Sequence, residues 1–93
     1  MSFPDRLDGA KVLFYTEEND FGVVRYTTGE IAAHIKYLAI CRYDNDGTYY
    51  LFKCNEQIEV EADQDHASLD ECMHSAVKSY GKEISWIEKS GDR

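Results

Sequence analysis

The order of apolar and polar positions predicts strands over the first two thirds of the chain and one helix near its end. Residues 11–16 (KVLFYT) and 22–26 (GVVRY) are β-branched and aromatic runs of the kind found in strands. The turn-type cluster at 17–20 (EEND) separates them. We therefore predict that the two runs pair as a hairpin.

The stretch 27–35 permits two interpretations. Thr27 and Glu30 have the spacing of a helix capping box, but residues 31–43 also match one long strand. Of the two, we favour the strand.

The clearest hairpin in the sequence joins residues 36–43 (KYLAICRY) to residues 48–54 (TYYLFKC). The four residues Asp44-Asn45-Asp46-Gly47 lie between them, and Asn and Gly tolerate the positive φ that a hairpin loop requires. The run at 84–87 (ISWI) indicates a short final strand or extended segment.

Strict alternation predicts a half-buried strand at 57–62. One face is expected to carry Ile58, Val60 and Ala62, and the other Gln57, Glu59 and Glu61. At period two, Glu59, Glu61 and Asp63 would then form a row of carboxylates along one side of the strand.

A helix is predicted from about 68 to 80. Ser68 and Glu71 form a capping box, and Gly81 suits the C-terminal cap. The apolar residues recur every three or four positions and form one stripe: Leu69, Cys72, Met73, Ala76, Val77 and Tyr80. We therefore expect an α+β fold, with an antiparallel sheet of about five strands and this helix packed on one face, as a single domain over residues 1–93.

The strand at 36–43 has two apolar faces, and one helix can cover only one of them. Tyr37, Ala39, Cys41 and Tyr43 share one side, while Leu38 and Ile40 lie on the other. The second face, which also takes up either Tyr49 or Tyr50, is then either left for a partner subunit or ligand, or hidden by a curled sheet or a long loop. A homodimer through this tyrosine-rich face is one expectation.

Composition narrows the class of protein. The 93 residues, 43% hydrophobic, allow one core, and no apolar run is long enough for a membrane-spanning helix. The start MSFPDRLDG carries charges where a signal peptide would be apolar, so we expect a cytoplasmic protein. The odd number of cysteines, without a CxxC pair, predicts free thiols at Cys41, Cys54 and Cys72.

The charge is concentrated in one segment. The chain has 18 acidic and 10 basic residues, a net charge of −8, which argues against binding to nucleic acid. Residues 55–77 hold seven of these acids and neither Lys nor Arg. We interpret the segment as a docking surface for a basic protein, with a solvated face that keeps the chain soluble as the alternative. The predicted partner-binding residues are Glu59, Glu61, Asp63, Asp65, Asp70 and Glu71.

No catalytic residue, cofactor or metal site is predicted. Asp63, Asp65 and His66, with Glu71 and His74 nearby, are possible metal ligands, but helix capping and the helix dipole explain the acids better. No HExxH, CxxC or glycine-rich phosphate loop is present. We expect the three cysteine thiols to be buried and chemically inert at their predicted positions.

Part of the sequence resembles small bacterial α+β proteins. The resemblance covers about half of the chain and rests on Tyr37-Leu38-Ala39-Ile40, on Tyr49-Tyr50-Leu51-Phe52-Lys53-Cys54, on Asp63-x-Asp65-His66-x-Ser68, and on Ala76, Tyr80 and Trp86. Cys72 and Met73 depart from the more Ala-rich helix of that pattern. Some small acidic domains of this kind are encoded beside toxins and act as immunity proteins, which implies a similar role here.

Two classes of function follow. The first is a small acidic cytosolic protein-interaction domain, in its finer form an immunity or inhibitor protein that binds a basic partner. The second is a small-ligand-binding protein or enzyme that uses the uncovered tyrosine-rich face, with His66 as its acid/base group because acids flank it.

Overall fold

The protein has an α+β fold in which one helix packs against a curled antiparallel sheet. The computed structural model describes residues 3–81 and 83–89. No helix within these residues has the length and apolar character needed to cross a membrane. The elements in chain order are β1 (Arg6–Leu7), β2 (Ala10–Tyr15), β3 (Val23–Arg25), β4 (Ile31–His34), β5 (Tyr37–Arg42), β6 (Tyr49–Cys54), β7 (Val60–His66), α1 (Leu69–Tyr80) and β8 (Ile87–Glu88).

The main sheet has the order β1-β2-β5-β6-β7, and β8 pairs with β2. The strands β3 and β4 form a separate two-stranded ribbon. All strand pairs are antiparallel. The expected sheet of about five strands with one helix on one face is therefore confirmed.

The predicted hairpin between β5 and β6 is also confirmed. Its register runs from Tyr37 opposite Cys54 to Cys41 opposite Tyr50. The loop takes the positive φ at Asn45, whose φ is 64°.

The prediction of a hairpin between residues 11–16 and 22–26 is wrong. The two strands follow one another along the same partner chain, because Tyr15 pairs with Ala39 and Val23 pairs with His34. Between them the polar cluster continues in the same direction, as the bond from Asn19 N to the Lys36 carbonyl at 2.9 Å shows. A polar run next to a long partner strand does not have to reverse the chain.

The reversal occurs instead at the tip of the β3–β4 ribbon. Gly29 has a φ of 95° and its N–H donates to the Tyr26 carbonyl at 2.9 Å. The capping-box interpretation of Thr27 and Glu30 is therefore wrong, and the favoured strand is found. It is interrupted at Ile35 and Lys36, so that 31–43 contains two strands in different sheets.

A short hairpin that the sequence analysis does not predict joins β1 to β2. Asp8 and Gly9 have φ values of 50° and 84°, and Leu7 pairs with Ala10 across them. The Asp-Gly dipeptide is the usual signal for such a two-residue turn. The signal was thus present in the sequence.

The strand β7 begins later and ends later than the predicted strand at 57–62. Ile58 has a φ of 60° and belongs to the turn that precedes β7. A bulge follows at Glu61, because Cys54 pairs with Val60 but the adjacent Lys53 pairs with Ala62. The bulge turns Ala62 to the opposite face from Val60. The expectation that Ile58, Val60 and Ala62 share one face is therefore wrong for Ala62.

The helix prediction is confirmed at both ends. Ser68 is the N-cap, and its Oγ accepts a hydrogen bond from the Glu71 N–H at 3.1 Å. Gly81 has the left-handed conformation of a C-cap, with a φ of 65°, and its N–H donates to the Val77 carbonyl. Among the apolar stripe, Cys72 is fully buried against the sheet.

The sheet separates two apolar clusters. The cluster on the helix side is built around Phe21, Ile35, Leu38, Ile40, Leu51, Cys72 and Ala76. The cluster on the other side is built around Phe3, Leu7, Ala10, Val12, Tyr37, Ala39, Cys41, Phe52 and Cys54. The strand β5 therefore contributes buried side chains to both faces.

The tyrosine-rich face is not uncovered, so that alternative is corrected. Phe52 is 1% exposed on this face, and Tyr50, not Tyr49, packs there. The sheet curls around it, and the ring of Phe3 stacks on Tyr15 with 4.5 Å between ring centroids. Within residues 3–81 and 83–89, the centre of this face is therefore buried by the chain's own side chains.

The chain ends of the described region are fastened together over this face. The Lys89 ammonium donates to the Phe3 carbonyl at 2.7 Å and lies 3.2 Å from an Asp5 carboxylate oxygen. Because β8 also pairs with β2, the N-terminal segment is held against the sheet.

We expect Ser68→Ala to lower the free energy of unfolding by about 1 kcal/mol, because the Glu71 N–H loses its acceptor at the start of the helix. Urea denaturation followed by circular dichroism measures this change. Ser79→Ala, at an exposed position of the same helix, is the control and should change stability by less than about 0.5 kcal/mol. Equal effects of the two substitutions would contradict the capping role.

Candidate functional site

The six predicted partner-binding acids are all exposed. Four lie in β7 or in the turn before it, at one margin of the sheet, and two lie in the first turn of α1, which follows β7 in the chain. The strand β7 is the last strand of the main sheet and pairs only with β6 within the described residues. We call this margin the acidic edge. Its members are Glu59 in the turn before β7, Glu61, Asp63 and Asp65 within β7, and Asp70 and Glu71 in the first turn of α1.

Two of the acids are tied into the turn by Asn55. The Asn55 side-chain amide donates to Glu59 Oε1 at 2.9 Å and to Glu61 Oε2 at 2.6 Å. Its carbonyl oxygen accepts from the N–H groups of Gln57 and Glu59 at 2.9 and 3.0 Å. Asn55 is 9% exposed, so its bonds form in a largely dry environment. Glu59 and Glu61 therefore have a structural role.

The sequence patterns do not predict a structural role for Asn55. The signal available was weak: an Asn side chain that accepts a backbone N–H two residues later forms a common turn. Asn55 also binds two carboxylates, and this depends on the bulge at Glu61. No local sequence pattern predicts that bulge.

Asp63 and Asp65 are different, because their carboxylates make no hydrogen bond or ion pair with any described residue. Asp63 lies opposite Phe52 and Asp65 lies opposite Tyr50 in the register of β6 and β7. These two acids are thus available to a partner. The predicted unbroken row of Glu59, Glu61 and Asp63 is interrupted by the bulge.

The effect of Asp65 is visible at its neighbour. Removal from water raises the pKa of the Tyr50 hydroxyl, and the charges of Asp46 and Asp65 raise it further. The Tyr50 hydroxyl donates to Asp46 Oδ2 at 3.4 Å. A half-buried aromatic side chain therefore lies beside the Asp65 carboxylate.

The two acids in α1 stabilise the start of the helix. Glu71 Oε1 accepts from the Ala67 N–H at 3.3 Å, while Asp70 lies in the first turn, where negative charge is favourable to the helix dipole. They extend the negative surface beyond the end of β7.

The three cysteines are free and buried, as predicted. Burial raises the pKa of both Cys54 and Cys72 to about 12, and raises that of Cys41 well above its ordinary range. Thiols in this condition are poor nucleophiles because the thiolate is the reactive form.

The histidine and acid candidates for a metal are not brought together. Within residues 3–81 and 83–89, no group of three or more His, Cys, Asp or Glu is placed to hold a metal ion. His66 pairs with Tyr49 and its Nε2 atom is buried without a hydrogen-bond partner among the described residues, while His74 is exposed on α1.

No family model, curated protein or solved structure matches this chain.

We expect Asn55→Ala to lower the free energy of unfolding by about 2 kcal/mol, because four hydrogen bonds of the turn are lost. Asn55→Asp should be more damaging at pH 7, since it places a third carboxylate beside Glu59 and Glu61. The difference in stability between the two variants should narrow near pH 4, where the introduced carboxyl group becomes protonated.

Denaturation at both pH values provides the measurement, and Asn45→Asp in the exposed β5–β6 loop provides the control for adding one charge. If Asn55→Asp were as stable as the wild type at pH 7, the described bonds to the two carboxylates would be wrong.

We also expect native thiols to react slowly with an aromatic disulfide reagent near pH 8, and all three to react once the chain is unfolded. The pKa values of Cys54 and Cys72 are higher in the folded chain than in the unfolded chain. Their contribution to stability is therefore complete below about pH 9 and is lost as the pH rises towards about 12. Rapid labelling of one cysteine in the native protein would contradict the burial.

Proposed function

We propose that the protein is a small cytoplasmic protein-interaction domain that binds a basic protein partner through the acidic edge. The observation that carries this proposal is the state of Asp63 and Asp65. Both are exposed on an edge strand, and neither has a hydrogen-bond or ion-pair partner among the described residues.

The geometry of an edge strand favours a basic partner over a second copy of the chain. An edge strand offers unpaired backbone groups to which another strand can add, and charged side chains on the edge discourage that pairing between identical molecules. Two copies of β7 would place Asp63 and Asp65 near the same acids of the other copy. A partner rich in Lys and Arg meets no such repulsion.

The distribution of charge supports the same partner class. Residues 55–77 hold seven acids and neither Lys nor Arg, so no basic group within the segment offsets the field of the acidic edge. Such a field accelerates encounter with a cationic protein and disfavours anionic ones. Asn55 keeps Glu59 and Glu61 in place before binding, which reduces the ordering cost of forming the complex.

In its finer form the proposal is an immunity or inhibitor protein that occupies a basic site on its target. Its support is the resemblance in residues 37–86 together with the charge of the acidic edge. Competition between this protein and the anionic substrate of a purified basic target would test the inhibitor role.

We expect the double reversal Asp63→Lys and Asp65→Lys to slow association with the partner at least tenfold and to weaken its dependence on salt, because steering between exposed charges is lost. The stability of the fold should change by less than about 0.5 kcal/mol, since these side chains have no described structural partner. Glu59 and Glu61 are left unchanged because they bind Asn55.

First, the immobilised protein is used to capture the partner from an extract of the native host at low salt. Association rates are then measured with the two purified proteins. The matched control is Glu17→Lys with Glu83→Lys, which changes the net charge equally at exposed positions away from the acidic edge. The proposal would be refuted by a partner whose association rate changes neither with salt nor with the reversal of Asp63 and Asp65. Equal effects of the two double variants would refute it as well.

A further inference from the structure

Lys53 occupies a position where the strand pattern calls for an apolar residue. It lies on β6, a strand with neighbours on both sides, and faces the helix side of the sheet like Tyr49 and Leu51 before it. Its cross-strand neighbours are Leu38, which is fully buried, and Ala62.

The Lys53 ammonium has no anionic partner among the described residues. It lies 5.8 Å from the centroid of the Tyr80 ring, a cation–π contact that orients it without neutralising it. The side chain is half-buried.

The space around Lys53 is a cleft of about 500 Å³ that opens where α1 ends. Phe21 and Tyr80 form one wall and meet edge to face, with 5.4 Å between their ring centroids. Val24 and Ile35 add apolar surface from the ribbon and the chain that follows it. Among the described residues, the cleft thus combines an apolar lining with a cation that has no ion-pair partner, which is typical of sites for small organic ligands.

Among the described residues, one acid also lines this cleft. Asp20 Oδ1 accepts a hydrogen bond from the Gly22 N–H at 3.0 Å, which holds the carboxylate against the loop that carries it. The other polar lining residue, Ser79, lies exposed on the last turn of α1.

We propose that this cleft binds a small amphipathic anion, with an apolar or aromatic body against Phe21, Ile35 and Tyr80 and a single carboxylate or sulfonate group at the Lys53 ammonium. The anionic group supplies the charge partner that the described residues do not, and the body displaces water from apolar surface. The cleft shares β7 with the acidic edge through Ala62, but Asp63 and Asp65 lie across from Phe52 and Tyr50 on the opposite face of the sheet. The proposal does not depend on the proposed function.

The test uses two fluorescent probes of nearly the same shape, anionic 1-anilinonaphthalene-8-sulfonate and its neutral analogue N-phenyl-1-naphthylamine. We expect both to bind the folded protein. Lys53→Met, which keeps the length of the side chain, should weaken binding of the sulfonate about tenfold and leave the neutral probe within about twofold. Lys53→Arg should retain binding of the sulfonate.

Two further variants test whether the probes bind in the cleft itself. Ser79→Trp places a large ring at the mouth and should weaken both probes. Lys78→Met removes an exposed cation that does not line the cleft and should change neither. Thermal melts of each variant confirm that the probes are reporting on folded protein.

The proposal is overturned if the sulfonate fails to bind the wild type. It is also overturned if Lys53→Met binds the sulfonate as well as the wild type does, or if Lys78→Met weakens it equally. Because the acidic edge is intact in all of these variants, none of these results bears on the basic-partner proposal.

Discussion

The fold depends on one requirement: both faces of β5 must be removed from water. Leu38 and Ile40 face the helix, while Ala39 and Cys41 face the opposite side, and all four are fully buried. A helix of 12 residues covers only one of these faces. The other is covered by the curl of the sheet itself and by the segment around Phe3, which Lys89 fastens in place. Without that second cover, an apolar surface would remain exposed and would invite association.

The strand order places β7 at one margin of the main sheet, and a bulge within it separates the acids by their role. The bulge at Glu61 lets Asn55 hold two carboxylates in a nearly dry turn, so part of the negative charge stabilises local structure. Asp63 and Asp65 lie beyond the bulge without such partners. The bulge therefore separates the acids that stabilise the turn from the acids that are available for binding. The basic-partner proposal rests on the second group, Asp63 and Asp65.

The length of the helix has a consequence on the other face. Gly81 ends α1 before it reaches the whole sheet, so the surface beneath Tyr80 is open as a cleft with Lys53 in its floor. The same cap that fixes the helix thus provides the space for the proposed anion site.

Features set by residues close together in the chain were determined by the sequence alone: the β5–β6 hairpin with Asn45 in its loop, the helix from its Ser68 cap to Gly81, and the burial of Cys72. The concentration of charge in 55–77 is likewise a property of the sequence. Only the tertiary structure decided that β2 and β3 run along one partner, that the tyrosine-rich face is closed, and that Lys53 meets Tyr80. These features depend on contacts between residues far apart in the chain. An alternating strand pattern is compatible with several pairing partners and with several curvatures of the sheet, so it does not choose among them.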